Sequence, residues 1–376
     1  MACCLVCVLI LVSNVWTISR WNESRGVYDD ICYLRQAHLF QKFGLGGLDT
    51  DIARDDDHYL SLKLKEIGFA AWNDPTAVPC HNLIPATQRR VLTPPPGTGF
   101  ALALFPSGFQ VIPLYVMANL MIAGFALLGL LRARGPAQLA LAAVFGFVAI
   151  YLMINPTKAS YSIAPTMMVC ALAGYLTAKL FGRETRDRLL LTVLTGFLIG
   201  LAVNFRLANL FLASGYCVFL LAAFLRLRNR DNFLQGLSFG IALLIGMAPT
   251  LIANAINAGS PFATTYGSDD AVPPAFNAGI LWQYIKDMQF VLLVIAGVWT
   301  ALLGRFGHSS GARAATYLVG GNLVLNLLFF MTHPVFTPYY TIPIAMLSLW
   351  TLLFVTLGPR GEAAADNLAA PRPAHA

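Results

Sequence analysis

Long apolar stretches alternate with short polar breaks along most of this chain. Roughly ten windows approach the length of about 20 residues that a membrane-spanning helix needs. They lie near 2–17, 109–131, 137–154, 161–181, 189–205, 207–225, 233–256, 289–304, 315–331 and 340–357. The pattern predicts an all-α polytopic membrane protein of about ten transmembrane helices. Residues 18–108 break the pattern. They are polar, and the stretch is too long to be a bare linker. Within it, 31–43 carries Arg35, His38 and Lys42 on one stripe and Tyr33, Ala37 and Phe40 on the other. In 58–70, Leu60, Leu64 and Ile67 share a face. Both segments read as amphipathic helices, lying on the membrane surface or packed on each other. The organisation expected is therefore a first transmembrane helix (1–17), an external loop with surface helices (18–108), a multi-span bundle (109–357) and a disordered tail (358–376).

Composition agrees. The 376 residues are 57% hydrophobic and 11% charged, and the mean hydropathy is +0.65. Those values belong to an integral membrane protein. The net charge of +7 does not indicate nucleic acid, because the arginines sit in every second short break: Arg132 and Arg134; Arg183, Arg186 and Arg188; Arg226, Arg228 and Arg230; Arg305 and Arg313; Arg360. The intervening breaks hold only Lys158, Arg206 and Lys286. Such alternation is the positive-inside signature. It places the arginine-rich breaks and the C-terminus in the cytoplasm and residues 18–108 outside. No small-residue cleavage site follows the first span, so it reads as an anchor and not as a cleaved signal.

The seven cysteines show no metal-binding spacing. Cys3, Cys4, Cys7, Cys170 and Cys217 fall in predicted spans. Cys32 and Cys80 both fall in the long loop, where an oxidising compartment permits a disulfide.

The chemical variety collects on one membrane face. The external loop supplies Asp29, Asp30, Tyr33, Asp57, His58 and Arg89; the later external turns supply Lys158, Tyr161, Arg206, Tyr266, His333 and Tyr340. Ionisable groups at the membrane are costly and tend to be functional. Arg206 stands in a very short break between two apolar windows, where it can bind a lipid phosphate or snorkel to water. The pair Asp29–Asp30 has three readings: a general base toward an acceptor hydroxyl, a divalent-cation ligand, or a helix cap. The run Asp55–His58 reads first as a turn and cap. If a divalent cation is used, Asp30, Asp57 and His58 are its candidate ligands; no cofactor is required by the sequence.

The order of these features resembles a known family. A first span is followed by an acidic pair with an aromatic three residues on (Asp29, Asp30, Tyr33). A helix, a long loop and a Pro-Pro-Gly turn (Pro95, Pro96, Gly97) come next, and then many spans. This resembles the GT-C class of membrane glycosyltransferases, in the protein O-mannosyltransferase and aminoarabinose-transferase-like branch. Within it, the chain looks most like bacterial enzymes that add sugars such as galacturonic acid to lipopolysaccharide. The stretches NFR at 204–206 and GSPF to Tyr266-Gly267 are also similar. Two positions depart from the family pattern. Asp30 stands where relatives have Glu, and Pro94 stands where several have Lys, His or Tyr.

The resemblance implies a bacterial inner-membrane enzyme working at the periplasmic face. It would move a sugar from a polyprenyl-phosphate donor to a glycolipid or protein acceptor, with inversion. Asp29, beside Asp30, would be the catalytic base. Tyr33, Arg89, Pro96, Lys158, Tyr161, Arg206, Tyr266, His333 and Tyr340 would bind substrate. Membrane lipids are the other expected partners, and nucleic acid is not one. The alternatives are a lipid or sugar transporter, which predicts functional groups at mid-membrane, and a non-catalytic envelope scaffold.

Overall fold

The computed structural model describes residues 1–23, 28–153, 160–182, 187–266, 275–307, 309–332, 336–337 and 340–358. Among them the chain forms fifteen α-helices, short 3-10 turns and one two-stranded hairpin.

The bundle begins with α1 (Ala2–Ile18) and continues with α5 (Val111–Arg132), α6 (Pro136–Leu152), α7 (Ile163–Leu180) and α8 (Arg188–Val203). After a 3-10 turn at Leu207–Ala213 come α9 (Ser214–Leu227), α10 (Arg230–Gly246), α11 (Ala248–Ala258), α12 (Ala278–Lys286), α13 (Phe290–Phe306), α14 (Ser310–Thr332) and α15 (Thr341–Thr356). Each of the ten predicted windows falls on helix. Length and apolarity qualify four segments to cross a membrane: α5, α7, Leu207–Leu227 and α14. The pairs α10–α11, bent by 54°, and α12–α13, bent by 87°, raise that to six if each is one broken span. The other four, α1, α6, α8 and α15, have 16 or 17 residues. At 1.5 Å per residue they reach about 25 Å, short of a hydrocarbon core of about 30 Å.

Buried asparagines peg the bundle together. Asn14 of α1 donates to Asn119 of α5 at 2.8 Å and to the Ile150 carbonyl of α6 at 2.6 Å. In an apolar medium an unpaired carboxamide is costly, so such pairs specify which helices meet. At the centre, α15 is buried from Thr341 through Phe354, around Trp350.

The stretch before α5 holds α2 (Tyr28–Phe43), α3 (Tyr59–Glu66), the antiparallel strands β1 (His81–Ile84) and β2 (Arg89–Leu92), and α4 (Pro96–Ala103). The two helices α2 and α3 pack on each other: Ile31, Leu60, Leu64 and Val78 form a small core of their own. Here the structure corrects the stripe reading of α2. Arg35, placed on the polar side, is fully buried, and nearly all of Ile31–Phe40 is enclosed. The reason is the chain after α2: the Thr50 and Asp51 carbonyls and His81 close over the Arg35 guanidinium, while α4 packs on the other side, against Gln36 and Phe40. The tail from 359 lies outside the described residues.

Candidate functional site

Asp29 and Asp30 stand in the first turn of α2, where the helix dipole favours carboxylates. Asp30 is buried and Asp29 half-buried. Tyr33 follows Asp29 by four residues, so both project from one face. Two attachments fix this end of the helix. Cys32 is disulfide-bonded to Cys80, with Cα atoms 6.4 Å apart, and Cys80 Sγ lies 3.9 Å from Asp29 Oδ1. One turn on, Arg35 donates to the carbonyls of Thr50 at 3.2 Å and Asp51 at 3.0 Å, and also to His81 Nε2. The Nδ1–H of His81 is used by the Pro79 carbonyl at 2.8 Å, which leaves Nε2 as the acceptor. Burial, then the nearby Arg35 charge, pull the His81 pKa down to about 3. Burial also lowers Arg35 to about 10, against the opposing pull of Asp55, Asp51, Asp49 and Asp57.

The cation of the site comes from the break after α8. The Asn204 side chain donates to the Gly246 carbonyl at 2.7 Å and accepts from the amide and hydroxyl of Thr250 at 2.9 and 2.8 Å. It thereby satisfies backbone groups freed where α10 bends into α11, as irregular backbone inside an apolar bundle requires. The Pro-Pro-Gly turn docks on this break. Gly97 N donates to the Asn204 carbonyl at 2.7 Å, and Thr98 Oγ1 to the Phe205 carbonyl at 3.1 Å. A Cβ on Gly97 would lie 2.7 Å from Asn204 atoms, and one on Gly99 would lie 2.6 Å from Gln36 of α2. These two glycines let α4 fit between α2 and the break.

Arg206 projects from that scaffold. Its Nη1 donates to Ser162 Oγ at 3.4 Å, and its Cζ lies 4.7 Å from the centre of the Tyr340 ring. Burial raises the Tyr33 phenol; the Arg206 charge opposes this, Asp29 adds to it, and hydrogen bonding to Ser160 and Ser162 lowers it. Tyr266 is also pushed up, by burial first, with Tyr33, Tyr340 and Asp29 adding and Arg206 opposing. Thus Asp29, Tyr33, Arg206, Tyr266 and Tyr340, drawn from four separate parts of the chain, share one electrostatic neighbourhood. Ser160 and Ser162 complete it without having been singled out by sequence; their only signal was proximity to Tyr161. The set offers a carboxylate, a guanidinium suited to phosphate and several phenolic donors.

Other predicted residues lie apart from that neighbourhood. Arg89 is ion-paired with Asp49 and, at 2.7 Å, with Asp51, and donates to the Ile256 carbonyl at 3.2 Å; it ties β2 to α11. Tyr161 donates to the Glu23 carbonyl at 2.5 Å, while the Glu23 carboxylate caps α5 by accepting from the amides of Gln110 and Val111. Pro96 opens α4 and acts through the turn. Asp55 accepts from Leu60 N at 2.9 Å. Asp57 binds His38 at 2.7 Å and Lys42 at 3.1 Å. Burial alone would raise the Asp57 carboxyl, but the His38 and Lys42 hydrogen bonds outweigh it and hold it at about 2. His58, at φ 58°, precedes α3. No group of three His, Cys, Asp or Glu suited to a metal occurs among the described residues, Asp30, Asp57 and His58 included. Lys158 and His333 lie outside the described residues. No protein-family model, curated protein or solved structure matches this chain.

Proposed function

We propose that this chain is an integral-membrane glycosyltransferase of the inner membrane of a bacterium. In this reading it crosses the membrane ten times, its C-terminus is cytoplasmic and its site faces the periplasm. It transfers a sugar from a polyprenyl-phosphate carrier to an envelope acceptor: lipid A, lipopolysaccharide core or protein. The observation that carries the reading is the convergence of Asp29 and Arg206, from α2 and the break after α8, on the same tyrosines. The Cys32–Cys80 bond adds support for the orientation, since disulfides persist on the oxidising side of the membrane.

The roles follow from the chemistry. Arg206 holds the donor phosphate, and Tyr340 stacks beneath the guanidinium. Tyr33 and Tyr266 donate hydrogen bonds to sugar or phosphate oxygens. Asp29 takes the proton of the acceptor hydroxyl as its oxygen attacks the anomeric carbon. The carbon–oxygen bond to the carrier phosphate breaks, and the phosphate leaves with the electron pair. One base and one displacement invert the centre, unlike the two-carboxylate scheme that retains it.

The test compares envelope glycolipids of a strain lacking this protein with the same strain carrying the wild type or Asp29→Asn at equal abundance. Loss of one sugar, restored by the wild type and not by the variant, is the expected result. Full restoration by Asp29→Asn would remove the base assignment. Transport of a labelled lipid-linked sugar across liposomes without transfer would replace the enzyme with a transporter.

A further inference from the structure

At the far end of α7 from Ser162, two cations meet on one phenol. Arg132 closes α5, and Lys179 lies in the last turn of α7. Arg132 Nη2 donates to Tyr175 Oη at 2.8 Å. Its Cζ lies 4.9 Å from the Tyr175 ring centre and 5.8 Å from that of Phe354. Lys179 Nζ lies 4.9 Å from the same Tyr175 ring. The platform below is aromatic: the Tyr175 and Phe354 rings are 5.0 Å apart, and Phe125 packs edgewise or tilted against both. Among the described residues no carboxylate lies within ion-pair distance of either cation.

A basic residue in a last helical turn is favoured by the helix dipole. That accounts for one cation at each helix end. It does not account for two like charges drawn together over one ring with no counter-charge among the described residues. A phosphate between them removes the repulsion: the guanidinium forks onto two oxygens, the ammonium takes a third, and the Tyr175 hydroxyl is a further donor. The position selects the source of that phosphate. Both α5 and α7 are long and apolar enough to cross a membrane, so their shared end marks the headgroup level. Beside the cations, Leu131 is 77% exposed, an apolar flank for an acyl chain. Anionic headgroups bind basic clusters between helices at this level.

We propose that Arg132, Lys179 and Tyr175 form a binding site for the phosphate headgroup of an anionic membrane lipid. The site is remote from Asp29 and independent of the transferase reading. The experiment uses the full chain purified in detergent and adds phosphatidylglycerol, phosphatidylcholine or inorganic phosphate, with lipid binding followed by native mass spectrometry and by melting temperature. Phosphatidylglycerol is expected to bind and to raise the melting temperature, and the other two are not. The double variant Arg132→Gln with Lys179→Gln should bind phosphatidylglycerol at least about tenfold more weakly, given the contribution of each basic residue near an anionic surface. Tyr175→Phe keeps the aromatic platform and should weaken binding a few-fold; it decides the matter if the double variant does not fold. Arg226→Gln, an exposed cation at the end of α9, should bind as the wild type does. Equal protection of the wild type and the double variant by phosphatidylglycerol overturns the proposal. Equal protection by inorganic phosphate overturns the lipid assignment.

Discussion

The backbone amide of Gly97 donates to the carbonyl of Asn204 at 2.7 Å, with no room between the two segments for a side chain. This contact joins the Pro-Pro-Gly turn to the break that carries Arg206. The Asn204 side chain, locked to Gly246 and Thr250, transmits the constraint to α10 and α11. Gly97→Ala places a Cβ against backbone that cannot swing aside. Overpacking of this kind costs about 1–3 kcal/mol, so a melting temperature lower by several degrees is expected, together with loss of activity beyond the loss of folded protein. An Ala variant that melts and functions like the wild type would show that the 204–206 segment yields freely and that the turn does not position Arg206.

The bond between Cys32 and Cys80 closes 48 residues of sequence and sits beside Asp29. A closed loop of that length stabilises by roughly 2–4 kcal/mol. Cys32→Ser with Cys80→Ser should lower the melting temperature, and reductant should bring the wild type to the same value while leaving the double variant unmoved. Alkylation before and after reduction, read by mass spectrometry, checks that the bond exists. Reductant that shifts the double variant as much as the wild type would place the effect elsewhere.

Much of the site was legible because it depends on short-range rules. Asp29 and Tyr33 share a face by helical spacing alone. Arg206, Tyr266 and Tyr340 stood out as polar groups at the ends of apolar stretches. What escaped depends on contacts between distant segments. The burial of Arg35 is set by the Thr50 and Asp51 carbonyls and by the neutral His81, far along the chain, that accepts from it. The β1–β2 hairpin lacks an Asn-Gly or Asp-Gly turn; it reverses through Gln88 at φ 55°, which apolar periodicity does not reveal. The 87° corner between α12 and α13 also escaped, because hydropathy registers apolar residues and not the direction of the axis. For the same reason it gave ten windows where helix length qualifies four to six.

His81 makes the segment between α1 and α5 acid-sensitive. Its ordinary pKa of 6.5 is lowered to about 3 in the fold, so the unfolded chain takes up this proton more readily. The stability contributed by neutral His81 is complete above pH 6.5 and is lost as pH falls from 6.5 toward 3. Asp57, lowered from 3.8 to about 2, adds a loss only below pH 4. Melting temperature measured from pH 7.5 to 4.5 should therefore decline for the wild type. His81→Gln, which keeps a hydrogen-bonding side chain without the titration, should be less stable at pH 7.5 yet much flatter with pH. An unchanged slope in that variant would assign the acid sensitivity to another group.

The charge of Arg206 can be separated from its shape. The guanidinium lies 4.7 Å from the Tyr340 ring centre and donates to Ser162. A planar fork that stacks on a ring and grips two oxygens is not replaced by an ammonium. Under the proposed transfer reaction, Arg206→Lys should raise the KM for the lipid-linked donor by about tenfold with a smaller change in kcat, while Arg206→Gln should lose most activity. Removing one charge-assisted contact to a phosphate supports that scale. Tyr340→Phe retains the stacked ring and should stay near the wild type; Tyr340→Ala removes a cation–π contact of about 0.5–2 kcal/mol and should resemble Arg206→Lys. Kinetics against a synthetic polyprenyl-phosphate sugar would read all four variants. Equal KM values across the series would mean that the donor phosphate is held elsewhere, and Arg206 would lose its role as the phosphate ligand.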